Sequence, residues 1–395
     1  MAPATGELIK QATPLIEKQD LDGALALLNQ AVAAEPMHPE VYFRRGGVFA
    51  DKGDDDAASA DYNRAIELAP QIPRYWNTRG FYHLSRGHHP QALGDFQKAI
   101  EIDPQYKQAH NNHGLVYIAQ RKFDEAIVSL KNALTIDPKY TDAGNNLGYA
   151  LLQKGLMFKA LEQFDRVIEL DPNYVNAYNN RGLVKHRLMK HDEAVSDFTE
   201  AIVRDPENVK FYHQRRDAYL ALQMMDEARR DDSKVRWLIG LGEHHQQVRS
   251  KRGDPAVYIS RAEYYEASDM HQEAIRDLTH ALSLDEQNVK ALMQRGNVWM
   301  NLKQFEKAIA DCTRAIEIQP LDEAYSIRGD AHLQKGEIDR AVSDYEQSRR
   351  FDADVAQAFW LRAEQREKSG EVAAASEDRN RAREIDPTLA EQTAE

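Results

Sequence analysis

Small and apolar side chains recur along this chain at helical spacing, in stretches of 34 residues. Within a stretch such as 141–174, they stand at positions 4, 7/8 and 11, and again at 20, 24 and 27. Each stretch therefore predicts two amphipathic helices. Proline sets the period: Pro36, Pro70, Pro104, Pro138, Pro172 and Pro206 follow one another at intervals of 34. Gly46, Gly80, Gly114, Gly148 and Gly182 keep the same phase, as do Ala24, Ala58, Ala92, Ala126, Ala160 and Ala194. Proline at position 32 ends the second helix, because it has no N–H and clashes with the preceding turn. Asp103, Asp137, Asp171 and Asp205 suit that turn. Gly53, Gly87, Gly155, Gly336 and Gly370 fall just after the first helix, where a left-handed cap is needed. A single helix pair cannot bury its apolar stripe, so the pairs must stack on one another.

The period and its signature residues resemble the tetratricopeptide repeat. In 73–106, Trp76, Gly80, Ala92, Phe96, Ala99 and Pro104 occupy the repeat's marker positions. Trp299, Ala308, Ala315 and Pro320 mark a later unit, and Ala375, Ala382 and Pro387 the last. Eleven such units run from about Thr5 to Leu389. The resemblance implies an all-α solenoid superhelix that binds protein partners along a concave groove. One unit, 209–242, departs from the pattern, with Arg216 in place of glycine, Asp232 in place of the aromatic and Gly240 in place of proline. Twelve further residues, 243–254, precede the next unit, and 226–252 predicts one extended helix. The expected organisation is an array of seven units over 5–242, a junction at 243–254, four units over 255–389, and a polar tail at 390–395.

Charge then becomes informative. Of 395 residues, 29% are charged, with 64 acidic against 51 basic and a net charge of -13, so nucleic acid is disfavoured as a partner. One cysteine, Cys312, rules out a disulfide scaffold and a cysteine-based zinc site. No run approaches the ~20 apolar residues needed to span a bilayer, and 1–10 lacks the order of a signal peptide. The expectation is a soluble, cytoplasmic protein without membrane contact. No phosphate-cradling glycine loop or nucleophile elbow is present, and no cofactor or enzymatic activity is expected. His110 and His113 have ligand-like spacing but replace the aromatic and the arginine of their unit, so no metal is expected.

The arginine in question stands at position 7. Wherever it occurs, position 23 is aspartate: Arg45 with Asp61, Arg79 with Asp95, Arg181 with Asp197, Arg215 with Asp231, Arg261 with Asp277, Arg295 with Asp311, Arg328 with Asp344, and Arg362 with Asp378. The two units with His113 and Leu147 have Ser129 and Gln163 instead. This covariation between copies predicts eight ion pairs joining the helices of a unit, in preference to a phosphate-binding ladder.

A second series lies on the face of the first helix opposite the core stripe. Asn77 is followed by Asn111 and Asn112, Asn145 and Asn146, and Asn179 and Asn180, at positions 5 and 6. An amide offers both a donor and an acceptor to a peptide unit. Helices stacked at about 10 Å match roughly three residues of extended chain. The row is thus a candidate peptide-binding groove, flanked by Tyr149, His186 and apolar neighbours including Leu115 and Leu183. Inheritance from one ancestral repeat is the competing explanation. The chaperone-binding carboxylate clamp is not assembled by any three neighbouring units. The C-terminal groove positions are acidic, with Glu263, Glu266, Asp330, Glu364 and Glu367 around Asn297 and Asn301. The junction is locally basic, and Arg229, Arg230, Lys234, Arg236, Trp237, Arg249, Lys251 and Arg252 form a candidate docking segment. Two functions remain open at this level: an adaptor holding a peptide segment of a partner, and an architectural subunit working through its convex face, ends or junction. Oligomeric state is not encoded in these patterns.

Overall fold

The structure is a computed structural model that describes residues 5–389. The tail 390–395 lies outside them. The described residues form twenty-two α-helices and no strand, from Thr5–Glu17 to Val372–Ile385. Successive helices pair into the hairpins that the sequence period predicts, and the hairpins stack as an α-solenoid. The chain divides into two compact units, Met1–Val235 and Arg236–Glu395. The division falls within one 26-residue helix, Met225–Ser250.

Local chemistry explains the helix boundaries. Asp20 and Asp54 cap the helices they precede by accepting from the N–H groups of Gly23 and Ala57. Pro39, Pro73 and Pro255 stand in the first turn, where their missing N–H costs nothing. Asp103, Asp137 and Asp171 accept from the N–H two residues on and close the turn at the end of each unit.

The left-handed cap after the first helix is present in all eleven units. Five are glycine, with φ between 75° and 87°. In the other six the same position holds Gln19, Arg121, Met189, Gln223, Asp269 and Lys303, all at positive φ. The stacking of the two helices imposes this geometry whether or not the residue favours it, at about 1–2 kcal/mol for a side chain with Cβ. Arg121→Gly is therefore expected to raise stability by up to about 1 kcal/mol, the strain relief being partly offset by glycine's extra chain entropy. Urea midpoints measure this, and a lower midpoint would count against it.

Position 8 is small for a different reason. A Cβ on Gly148 would lie 2.6 Å from Phe164, on Gly182 2.7 Å from Phe198, and on Gly80 2.9 Å from Phe96. The aromatic at 24 packs close against the first helix at this glycine, fully buried in these three units. In 209–242 the glycine and the aromatic are both lost. There Arg216 Nη1 donates to Asp232 Oδ1 at 3.0 Å, so an ion pair occupies the contact that a ring fills elsewhere. The core has no single centre. It runs as clusters that each cross unit boundaries, one extending from Ala126 to Val184 and another from Leu241 to Ala324.

Candidate partner-binding face

All eight aspartates at position 23 are buried, and each accepts two hydrogen bonds from the arginine at position 7 of its own unit. Nε and Nη2 donate to the two carboxylate oxygens at 2.6–3.0 Å, the side-on fork that guanidinium geometry favours. In six units the remaining Nη1 reaches the preceding unit. Arg45 donates to Asn29, Arg79 to Asn63, Arg181 to Asp165, Arg215 to Thr199, Arg295 to Thr279 and Arg328 to Thr313. Each such arginine joins two helices of one unit and clips that unit to its predecessor. Aromatic rings at positions 4 and 11 flank the guanidinium in several units, as Tyr258 and Tyr265 do for Arg261. Hydrogen bonds to Asp61 carry the Arg45 guanidinium above its ordinary value despite partial burial. In one of the units without that arginine, His113 Nδ1 meets Ser129 Oγ at 3.1 Å, and burial lowers the His113 pKa. The basic row is thus consumed internally.

The asparagine row differs from the sequence expectation. Asn111, Asn145, Asn179 and Asn180 are buried, and only Asn77, Asn112 and Asn146 are half-exposed. The amides bond to one another in two directed chains. Asn146 donates to Asn111 at 3.0 Å, Asn111 to Asn112 at 3.2 Å, and Asn112 to Asn77 at 3.0 Å. Asn179 donates to Asn180 at 3.4 Å, and Asn180 to Asn145 at 3.0 Å. Position 6 therefore donates across the unit boundary to position 5 of its predecessor. The expectation that all seven line the groove is corrected for four of them: helical angle placed them off the core stripe, but the packing of neighbouring units buries Asn111, Asn145, Asn179 and Asn180. Asn179 Oδ1, at the end of the second chain, is buried without a hydrogen-bond partner. Gln214, in the register that donates in earlier units, turns a buried unpartnered oxygen of its own.

Of the flanking residues, Tyr149 and His186 are half-buried. His186 Nδ1 lies 3.0 Å from His191 Nδ1, and burial followed by that neighbour lowers the His186 pKa. The acidic positions of the C-terminal units are largely matched within the chain. Glu263 pairs with Lys290 at 2.8 Å, Asp330 accepts from Arg350 and Tyr345, Glu364 accepts from Trp360, and Glu367 pairs with Arg379.

The basic junction separates into different environments. Arg229, Arg230, Arg249, Lys251 and Arg252 are exposed, and Arg229 pairs with Asp226. Arg236 is also exposed, whereas Lys234 is half-buried, with its pKa lowered by burial. Trp237 does not present an aromatic for docking. Its ring stacks on Tyr264 with centroids 6.1 Å apart and packs against the core of the second compact unit, because its helix turns that face inward. Among the described residues there is no group of three His, Cys, Asp or Glu able to hold a metal ion. Burial pushes the Cys312 thiol up to about 12, far from a reactive thiolate. Among the described residues, no helix is long and apolar enough to cross a membrane.

This architecture and its repeat signatures define a class, and comparison with known proteins agrees. Family models described as TPR repeat or tetratricopeptide repeat match 9–73, 73–106, 114–155, 159–188, 175–208, 289–321 and 322–354, well over half of the chain. The protein belongs to the tetratricopeptide repeat family. Tetratricopeptide solenoids are protein–protein interaction scaffolds that bind protein partners, and they are typically non-catalytic. Outer envelope protein 61 of Arabidopsis thaliana is 39% identical over 59 residues, 15% of this chain and 11% of that protein. FK506-binding protein 59 of Drosophila melanogaster is 30% identical over 80 residues, 20% of this chain and 18% of that protein. The chain thus spans less than a fifth of the length of either relative. Among solved structures, MamA is 25% identical, covering 41% of this chain and 94% of its own, with a TM-score of 0.38. PilF of Pseudomonas aeruginosa is 14% identical, covering 53% and 95%, with a TM-score of 0.47. YrrB, described as a TPR protein with an unusual peptide-binding site, is 21% identical, covering 48% and 97%, with a TM-score of 0.38.

Proposed function

We propose that this protein is a non-catalytic adaptor whose first-helix face over 73–208 holds an extended segment of a partner protein. The observation behind the reading is the orientation of the half-exposed amides Asn77, Asn112 and Asn146 in three successive units. Each carboxamide has two N–H groups and two acceptor sites, and the chain of Asn–Asn bonds occupies only part of that capacity. Buried Asn111 accepts from Asn146 and donates to Asn112, which donates to Asn77, so the free N–H and lone pair of each exposed amide are oriented before a peptide arrives. Spacing of about three extended residues per unit then suits main-chain recognition, largely independent of peptide side chains. We assign this activity to the array 5–242, and treat 243–254 as a junction to a separate array over 255–389. A cytoplasmic location, expected from the sequence, belongs to the same proposal.

The test uses the full chain and random linear peptides displayed on phage, with enriched peptides resynthesised for fluorescence polarisation. Asn112→Asp with Asn146→Asp keeps side-chain shape but removes two donors and sets a carboxylate against each acceptor. The expected result is loss of peptide binding by about tenfold or more, with circular dichroism showing a folded chain whose unfolding midpoint is lowered. Unchanged peptide affinity in the folded variant would reject the groove and favour the architectural reading, for which the self-paired amides are purely internal ties.

A further inference from the structure

The repeats act as internal controls for one another, and one place on their edge departs from all the rest. Position 18, in the first turn of the second helix, is acidic in seven of the eleven units, where it favours the helix N-terminus. In three cases that acid pairs with the basic residue at position 14 of the following unit: Asp22 with Lys52, Asp124 with Lys154, and Glu306 with Lys335. Between the units 141–174 and 175–208 the pair is Phe158 and Leu188. Leucine recurs at position 14 as Leu222 and Leu302, but opposite Asp192 and Gln272; only Leu188 faces a large apolar residue.

This substitution is not a closed hydrophobic staple. Leu188 packs partly on the core, but Phe158 stays 77% exposed and is absent from it. The two side chains instead line a cavity of about 290 Å³ with Leu156 and Lys159. Met189, which follows Leu188 in the chain, is 76% exposed in a left-handed turn that five units give to glycine. An open apolar pocket flanked by exposed Phe and Met is costly to leave against water and marks a contact surface. The two turns, Lys-Gly-Leu-Met-Phe-Lys at 154–159 and Lys-His-Arg-Leu-Met-Lys-His at 185–191, hold five lysines and arginines. Lys154 pairs with Asp124, Lys185 with Asp197 and Lys190 with Glu193, which leaves Lys159 and Arg187 as the cations outside those pairs. Lys159 lines the cavity itself, and Arg187, which precedes Leu188 in the chain, is exposed.

We propose that this edge is a second docking site, distinct from the amide face, for a partner segment that inserts one large apolar side chain between Phe158 and Leu188 and sets acidic residues against Lys159 and Arg187. Concavity selects an inserted side chain over a flat surface. The basic turns select acidic flanks and speed encounter with them.

The full chain is panned against phage-displayed random linear peptides, and enriched sequences are resynthesised with a fluorophore. A leucine, phenylalanine or tryptophan flanked by Asp or Glu is the expected consensus, binding more weakly as salt rises. The double variant Phe158→Asp with Leu188→Lys installs the pair that Asp124 and Lys154 form one unit earlier, so the fold is retained while the pocket is lost. It should weaken such peptides about tenfold or more, and Lys159→Glu, a surface change, should weaken them too. Peptides without that consensus, or peptides unaffected by both variants, overturn the proposal. So does the absence of any enrichment. Binding to phosphatidylcholine vesicles containing phosphatidylserine, with no peptide enriched, would assign the edge to a membrane surface instead. Peptides lost in Asn112→Asp with Asn146→Asp but kept in Phe158→Asp with Leu188→Lys belong to the amide face and count against this site, so the two proposals fail separately.

Discussion

Phe164→Ala is expected to cost about 3–5 kcal/mol, among the largest effects of any single substitution in the solenoid. The ring is fully buried and packs close against Gly148, in a core only one helix pair thick. No second layer can move in to fill the space. Gly148→Ala approaches the same contact from the other side. Its new Cβ would sit 2.6 Å and 2.8 Å from two ring carbons, an overlap that costs about 1–3 kcal/mol because ring and helix must shift. The decisive measurement is the double variant. With the ring gone, the added methyl occupies vacated space, so the pair should cost at least about 1 kcal/mol less than the sum of the singles. Strict additivity would show that Gly148 and Phe164 are not each other's constraint. Urea unfolding followed by circular dichroism supplies the energies. Hydrogen exchange should show the loss spreading to neighbouring units, since each repeat is held by those beside it.

Arg295→Met is the second large effect, expected at about 3 kcal/mol or more. The cost does not measure the strength of an ion pair. Asp311 is buried with its two oxygens held by Arg295 at 2.7 Å and 2.8 Å, and removing the guanidinium strands a carboxylate inside the solenoid. Arg295→Met with Asp311→Leu should recover most of the loss, because two apolar side chains of similar volume need no counter-charge. Arg295→Lys should fall between, since one ammonium cannot make the two-point fork or reach Thr279 as well. A double variant as unstable as Arg295→Met would show that the arginine contributes mainly by packing or through Thr279, the tie to the preceding unit.

These two constraints were unequally visible in the sequence. The glycine series marked close approach, and covariation of positions 7 and 23 marked the eight Arg–Asp pairs, because both contacts lie inside one repeat and recur at one spacing. The arginine's third bond was missed. Its partners, Asn29, Asn63, Asp165 and three threonines, belong to the preceding unit and vary in type, so no single residue repeats to announce them. A scan for polar residues sixteen positions before each arginine would have found most of them. The same spacing links Arg216 to Asp232, two residues that a motif comparison registers only as defects.

The asparagine row shows the other kind of limit. Helical angle separates the core stripe of a helix from its opposite face, and by that measure Asn111, Asn145, Asn179 and Asn180 point away from the core. The angle carries no information about neighbouring units, whose packing buries these positions: Asn111 and Asn145 accept from the next unit, and Asn180 donates to the preceding one. Trp237 follows the same logic: an aromatic among basic residues reads as a docking group until Tyr264 covers it.

The period of 34 residues, the helix pairs, their five glycine caps and the ion pair within eight of the eleven repeats were all determined by the sequence alone. They depend on neighbours a fixed distance away along the chain, and repetition samples that distance many times. Tertiary structure alone decided which polar residues stay available to a partner. Availability depends on how each unit lies against the next, and that geometry takes the arginines and most of the asparagines inward while leaving Phe158 and Met189 in water.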